Sequence, residues 1–154
     1  MNAGKSTVAQ ILATSLKKTA LLEIDYVYKM IDWMPINDAV QLNLKNAISL
    51  IKNFSTEGID SIIPYPLTKK NFEFLFSELE NLDHDIYTFT LLPAENVVLK
   101  NRGTRELDGW EIESIKEHYR RGVYSPEHSI IIDNSTMSPQ ETAQLIISTI
   151  NKRG

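Results

Sequence analysis

Short apolar runs alternate with amphipathic helical patterns along the chain, and this alternation constrains the fold more than any other feature. The runs have the composition and the polar or proline endings of buried strands and lie at residues 20–24, 59–63, 86–92 and 129–132. Between them, apolar residues recur at helical spacing, as at Val8, Ile11, Leu12 and Leu16. Because strands joined by helices of this length pair in parallel, the pattern predicts an α/β fold with three layers, in which helices cover both faces of a mostly parallel sheet.

The ends of the strands and the starts of the helices are marked by particular residues. Ligands bind such sheets beyond the carboxyl ends of the strands, so the functional edge is expected near Asp25, Tyr65, Leu92 and Asp133. Asn37 or Asp38 is predicted to cap one long helix. Ser138 and Glu141, with Pro139 between them, predict a capping box at the start of the last helix.

Composition limits the classes of function that this chain can have. Its 154 residues can bury a sizeable core without a linker or repeat to divide them, so we expect one domain over residues 1–154. Sixteen Lys and Arg against twenty Asp and Glu give a net charge of -4, which argues against nucleic acid and membrane surfaces as partners. The absence of cysteine excludes disulfides and thiolate metal sites, and we expect a cytoplasmic protein, either monomer or homodimer.

The sequence Gly4-Lys5-Ser6-Thr7 opens the first amphipathic helix and matches the second half of the phosphate-binding pattern G-x-x-x-x-G-K-[ST]. Glycine lets the backbone approach phosphates, and N–H groups from Asn2 onward, with the helix N-terminus, hold the anion. In such loops the lysine reaches the β- and γ-phosphates and the serine hydroxyl ligates magnesium. The alternative is an ordinary capped helix with a solvated lysine.

The pattern is incomplete at its beginning. Its first glycine would fall two places before Met1, and the buried strand that precedes such loops would lie before it. We expect the natural start to lie upstream, with roughly ten more residues for a strand and a turn. A degenerate protein, or an assembly in which another element fills the place of that strand, are the alternatives.

The order of these elements, beginning with Gly4-Lys5-Ser6-Thr7, resembles the small P-loop kinases of metabolites, the group of shikimate, gluconate and adenylylsulfate kinases and chloramphenicol phosphotransferase-like proteins. The resemblance covers essentially the whole chain. It implies a P-loop NTPase sheet of about five strands and a short lid over about residues 101–109. It also implies ATP and Mg²⁺ as cofactors, and transfer of the γ-phosphate to a hydroxyl of a small molecule.

The same resemblance implies roles for individual residues. Loop residues Asn2, Ala3, Gly4, Lys5, Ser6 and Thr7 would bind the nucleotide. Asp25 would contact the acceptor hydroxyl as base or orienter, or join Ser6 in holding magnesium, although an aspartate at a strand end also serves as a turn or helix cap. Arg102 and Arg105 would neutralise the transferring phosphoryl group, unless this segment is a solvated surface loop. Asn134 and Ser135 would flank the adenine, or form a turn and helix cap.

Two features keep a second function open. Pro64-Tyr65-Pro66 follows the second strand where many P-loop proteins carry a carboxylate for magnesium, so a nucleotide-binding protein without transfer activity is the alternative. The aromatic residues Tyr26, Tyr28 and Trp33 follow Asp25 and form either part of an acceptor pocket or ordinary packing. His84 and His128 lack the spacing of metal ligands.

Overall fold

A computed structural model describes residues 2–100, 106–122 and 125–153 of the chain. Its helices are α1 (Lys5–Ser15), α2 (Ile24–Tyr28), α3 (Ile36–Thr56), α4 (Lys69–Leu79), α5 (Glu95–Val98), α6 (Gly109–Arg121) and α7 (Pro139–Asn151). Its strands are β1 (Thr19–Leu21), β2 (Asp60–Ile62), β3 (Phe89–Leu91) and β4 (Ile130–Ile132). A 3₁₀ turn over Lys29–Ile31 follows α2.

The strands pair two by two, and in both pairs they run parallel. β1 pairs with β2 so that Ala20 lies opposite Ser61, and β3 pairs with β4 so that Thr90 lies opposite Ile131. The described residues therefore form two separate two-stranded sheets.

The predictions of a three-layer α/β fold with one mostly parallel sheet, and of a P-loop NTPase sheet of about five strands, are wrong. Each predicted strand position does contain a strand, but each strand has only three residues. The four strands of the described residues join only in pairs. The alternation of strands and helices indicates parallel pairing, but it does not indicate which strands are neighbours, because that depends on contacts between distant parts of the chain.

The chain divides into two compact units. We call Met1–Val8 together with Tyr87–Gly154 the loop unit, because it contains the glycine-lysine motif, and Ala9–Ile86 the central unit. β3 and β4 belong to the first, and β1 and β2 to the second. The single domain of residues 1–154 stays a prediction.

The core of the central unit is formed mainly by α3 and α4. The buried side chains of this cluster are Leu22, Ile24, Val27, Leu44, Ala47, Ile48, Ile51, Leu75 and Leu79. They pack together because α3 repeats apolar residues at helical spacing and so buries one face along its length. The predicted cap at Asn37 or Asp38 is wrong, since α3 begins at Ile36 after Pro35, which provides no side-chain cap.

In the loop unit, α6 and α7 both begin with a capping box. Ser138 accepts a hydrogen bond from the N–H of Glu141, whose carboxylate accepts one from the N–H of Ser138, with Pro139 at the first helical position. This confirms the predicted start of the last helix. The buried apolar side chains of the unit include Val98, Ile115, Ile132, Ala143 and Ile146.

Candidate functional site

The backbone of residues 2–4 alternates in the sign of φ just before α1. Asn2 has a φ of 49° and Gly4 has a φ of 83°, whereas the φ of Ala3 between them is negative. Alternation of the sign of φ is one requirement of a nest, a concave arrangement of successive backbone N–H groups that is suited to an anion. The left-handed conformation at Gly4 also explains the glycine, because a residue with Cβ is strained there.

The first turn of α1 continues this concave loop. The carbonyl oxygen of Gly4 accepts a hydrogen bond from the N–H of Val8 at 3.0 Å, and this is the first bond of the α-helical pattern. The N–H groups of residues 5–7 come before it, as the first N–H groups of every helix do. The N-terminus of a helix favours negative charge. Lys5 is half-buried, while Ser6 and Thr7 are exposed.

Asn2 ties the loop to the end of α5. Its side-chain Nδ2 donates to the carbonyl oxygens of Val98, at 2.8 Å, and Lys100, at 3.1 Å. Val98 is fully buried, so the loop is attached to the core of the unit. Asn2 was predicted to bind the nucleotide, and the structure shows its carboxamide holding the loop in place.

Asn134 supports the loop from β4. It is 2% exposed, and its Nδ2 donates to the carbonyl oxygen of Ala3 at 3.1 Å. The Oδ1 atom of Asn134 is buried and has no hydrogen-bond partner among the residues that the structure describes. A Cβ atom placed on Gly4 would lie 4.0 Å from Nδ2, so the side chain lies directly against the loop.

Ser135 connects the segments that follow β3 and β4. Its hydroxyl accepts a hydrogen bond from the N–H of Ala94 at 2.8 Å and donates to Asp133 Oδ1, which also accepts from the N–H of Ser135 at 3.0 Å. These two bonds from Ser135 lower the pKa of the Asp133 carboxyl below its ordinary value. The carboxyl ends of the two strands are thereby tied together.

Tyr119 of α6 also lies at this edge, a position that no sequence motif indicates. Its hydroxyl donates to the carbonyl oxygen of Pro93. Burial raises the pKa of Tyr119, and the negative charges of Glu95 and Asp133 raise it further. A periodic tyrosine on an amphipathic helix looks like an ordinary packing residue, so only the tertiary structure shows its position at the strand ends.

Asp25 belongs to the central unit and is described there. The run that was expected to end at Asp25 stops earlier, since β1 ends at Leu21 and Asp25 lies in the first turn of α2. Asp25 is exposed, and its charge contributes, after burial, to the raised pKa of Tyr65. The Asp25 carboxylate is therefore close enough to Tyr65 to affect its ionisation. Both residues were expected at the carboxyl ends of strands.

The aromatic residues after Asp25 are partly on the surface of the central unit. Tyr26 is 61% exposed and Trp33 is 77% exposed, so the packing interpretation does not hold for these two. Lys29 Nζ lies 4.7 Å from the centre of the Tyr26 ring, and the Tyr28 hydroxyl donates to the carbonyl oxygen of Met34.

Arg102 and Arg105 lie outside the described residues, as does the first part of the predicted lid at 101–105. The remainder of the lid prediction covers residues 106–108, which precede α6, and Gly109, with which α6 begins.

The described ranges contain neither a metal-binding cluster nor a helix that could span a membrane. No group of three or more His, Asp or Glu side chains there could hold a metal ion. Ser6 offers an exposed hydroxyl oxygen, a hard donor of the kind that Mg²⁺ accepts, and phosphate oxygens and water complete such a shell. None of the helices in the described part has the length and apolar content needed to cross a bilayer. Comparison of the chain with protein-family models and with curated proteins finds no match in either.

Proposed function

We propose that this chain binds Mg-ATP at the loop of residues 2–7 and transfers the γ-phosphate to a hydroxyl group of a small molecule. The observation that carries the proposal is the loop itself, in which the Gly4-Lys5-Ser6-Thr7 motif begins α1 directly after a backbone of alternating φ sign. The motif supplies the chemistry, and the conformation supplies a concave set of N–H groups for an anion.

Each residue of the loop has a role in binding. The backbone N–H groups and the start of α1 bind phosphate oxygens, and Lys5 neutralises charge on the β- and γ-phosphates. Ser6 provides one oxygen ligand to magnesium, which when bound with the nucleotide neutralises charge on the phosphates. Asn2 and Asn134 keep the loop in shape through their bonds to backbone carbonyls.

Transfer requires a residue that accepts a proton from the acceptor. In the proposed step the acceptor oxygen forms a bond to the γ-phosphorus, while the bond from that phosphorus to the bridging oxygen of ADP breaks. Asp25 is the residue that we propose to accept the hydroxyl proton, and this assignment is supported by the resemblance to small-molecule kinases alone. Arg102 and Arg105 are proposed to stabilise the charge on the phosphoryl group.

Binding without transfer is the second candidate function. It is favoured by the residues after β2, which are Pro64-Tyr65-Pro66 and include no carboxylate that could hold magnesium. In that case the loop binds Mg-ATP in the same way, and an acceptor does not stimulate formation of ADP.

Thermal unfolding with and without saturating Mg-ATP tests the binding site. A ligand that binds only the native state at a hundred times its Kd adds about 2.7 kcal/mol of stability, so we expect Tm to rise by several degrees. Lys5→Ala should lose most of this rise. Lys45→Ala, which removes an exposed lysine of α3, is the matched control and should keep it. If the parent chain shows no rise, or Lys5→Ala keeps the full rise, the proposed site is wrong.

Replacement of Asp25 by Asn separates transfer from binding. ADP formation is measured across a panel of small hydroxylated compounds with the parent chain, Asp25→Asn and Asp32→Asn, a nearby exposed control. We expect Asp25→Asn to keep its affinity for Mg-ATP and to lose acceptor-dependent ADP formation. Weakened Mg-ATP binding would instead assign Asp25 to the magnesium site. A parent chain that binds Mg-ATP but responds to no acceptor would favour the second candidate.

A further inference from the structure

We infer that Asn134 is the positioning residue of the phosphate-binding loop, and that its neutral carboxamide is what keeps this loop selective for an anion. The inference rests on the proposed function, which assigns an anionic ligand to the loop. It gives Asn134 a role different from direct contact with the nucleotide, because the side chain is 2% exposed and lies beneath Ala3 and Gly4.

The geometry follows from the planarity of one peptide group. The carbonyl of Ala3 and the N–H of Gly4 belong to the same peptide unit, and in a trans peptide they point in opposite directions. Asn134 Nδ2 holds the Ala3 carbonyl oxygen at 3.1 Å. The N–H of Gly4 must then point away from Asn134, toward the side on which the proposed anion binds.

A carboxylate at position 134 would repel the carbonyl oxygen of Ala3, which the amide of Asn134 now holds. It has no hydrogen to donate at neutral pH, so a negatively charged oxygen would face the carbonyl oxygen of Ala3 at about the distance of the present hydrogen bond. It would also place an anion beside the bound phosphates in a buried position, where charges are weakly screened. An amide has the same shape, donates to the carbonyl and carries no charge.

Asn134→Asp tests this role through pH, because protonation restores the donor and removes the charge. The buried carboxyl should have a raised pKa, so the neutral form is within reach at mildly acidic pH. We expect Mg-ATP to bind Asn134→Asp about tenfold or more weakly than the parent chain near pH 8, and this deficit to shrink near pH 5.5. Affinity is measured by isothermal titration calorimetry at both pH values. Asp133 precedes residue 134 in the chain and Lys5 follows Gly4, and both are the same in the two chains, so the ratio of affinities reports on position 134.

Asn43→Asp is the matched control. Asn43 of α3 is 3% exposed and also has a buried Oδ1 atom without a partner in the described part of the chain, but it belongs to the central unit. Its variant should lose stability as the pH rises while its affinity ratio to the parent stays constant.

Four outcomes overturn the inference. Equal affinity of Asn134→Asp and the parent chain for Mg-ATP at both pH values would overturn the inference and leave the proposed function standing. A change in the affinity of Asn43→Asp as large as that of Asn134→Asp would have the same meaning. If the parent chain does not bind Mg-ATP, both the inference about Asn134 and the proposed function are wrong. If Asn134→Asp does not fold, Asn134→Ala replaces it, with weaker binding at both pH values expected and parental affinity contradicting the role.

Discussion

At the scale of the residue, Gly4 has a backbone conformation that side chains rarely adopt. Its φ of 83° lies in the left-handed region, where a Cβ atom costs roughly 1–2 kcal/mol. We predict that Gly4→Ala is destabilised by about this amount and also loses most of the rise in Tm that Mg-ATP produces, because relief of the strain disturbs the N–H groups of the loop. Thermal unfolding with and without Mg-ATP measures both effects.

Gly58 provides the control for Gly4→Ala. It has a φ of 64° after the end of α3, and a Cβ atom there would meet nothing within 4 Å. Gly58→Ala should therefore lose a similar amount of stability and keep the full effect of Mg-ATP. If both variants keep that effect, the conformation of Gly4 does not matter for binding.

Single residues were predictable from the sequence where a motif fixes their backbone environment. Gly4 and Lys5 were selected because the motif requires a glycine and a lysine at the start of a helix, and α1 does begin at Lys5. Asn134 was selected through a resemblance that placed it beside the adenine. Its bond to Ala3 crosses 131 positions of sequence, and no local pattern reports a contact of that separation.

At the scale of the element, the segment after β4 is held by Ser135 and Asp133. The pKa of Asp133 is lowered by the two bonds from Ser135, so these bonds stabilise the native state above the ordinary carboxyl pKa. As the pH falls through the lowered pKa, Asp133 becomes protonated and that stabilisation is lost.

This linkage leads to a prediction for Ser135→Ala. Its deficit in Tm relative to the parent chain should be largest at neutral pH and should shrink in acid, since the hydroxyl bond to Asp133 is then lost in the parent too. A smaller deficit should persist because the N–H of Ala94 has lost its acceptor. Ser49→Ala removes a hydroxyl that, within the described residues, bonds to the uncharged carbonyl of Lys45, so its deficit should not change with pH. A Ser135→Ala deficit that is constant from neutral to acidic pH would contradict the linkage.

Elements were predicted well where local signals mark them and poorly where they do not. The capping box at Ser138 was found because both of its bonds join residues three apart. The strand before Asp25 was predicted too long, and Asp25 lies in α2 instead. A short apolar run does not by itself distinguish a strand from the start of a buried helix, which explains this error.

At the scale of the whole molecule, both tryptophans lie on the surface. Trp33 of the central unit is 77% exposed and Trp110 of the loop unit is 70% exposed. We predict that the native chain emits tryptophan fluorescence near the wavelength of the unfolded chain and is readily quenched by iodide. Unfolding should therefore change circular dichroism strongly and the emission wavelength only slightly.

Measurement over a range of protein concentrations gives this prediction a control. A monomer should show the same exposed emission at every concentration. Native emission at a clearly shorter wavelength would contradict the exposure of these residues. A shift that develops only at high concentration would indicate a homodimer that covers Trp33 or Trp110.

The sequence by itself determined most of the helices, the positions of the four strands in the described residues and their parallel direction, and it placed Gly4-Lys5-Ser6-Thr7 at the start of α1. These features depend on periodicity, capping and backbone conformation, which act between residues close together in the chain. Only the tertiary structure decided that the described strands form two pairs and that Asn2 and Asn134 hold the loop. The physical reason is that strand pairing and the bonds of buried amides join residues far apart in sequence, and their energy depends on which distant groups the packing brings into contact.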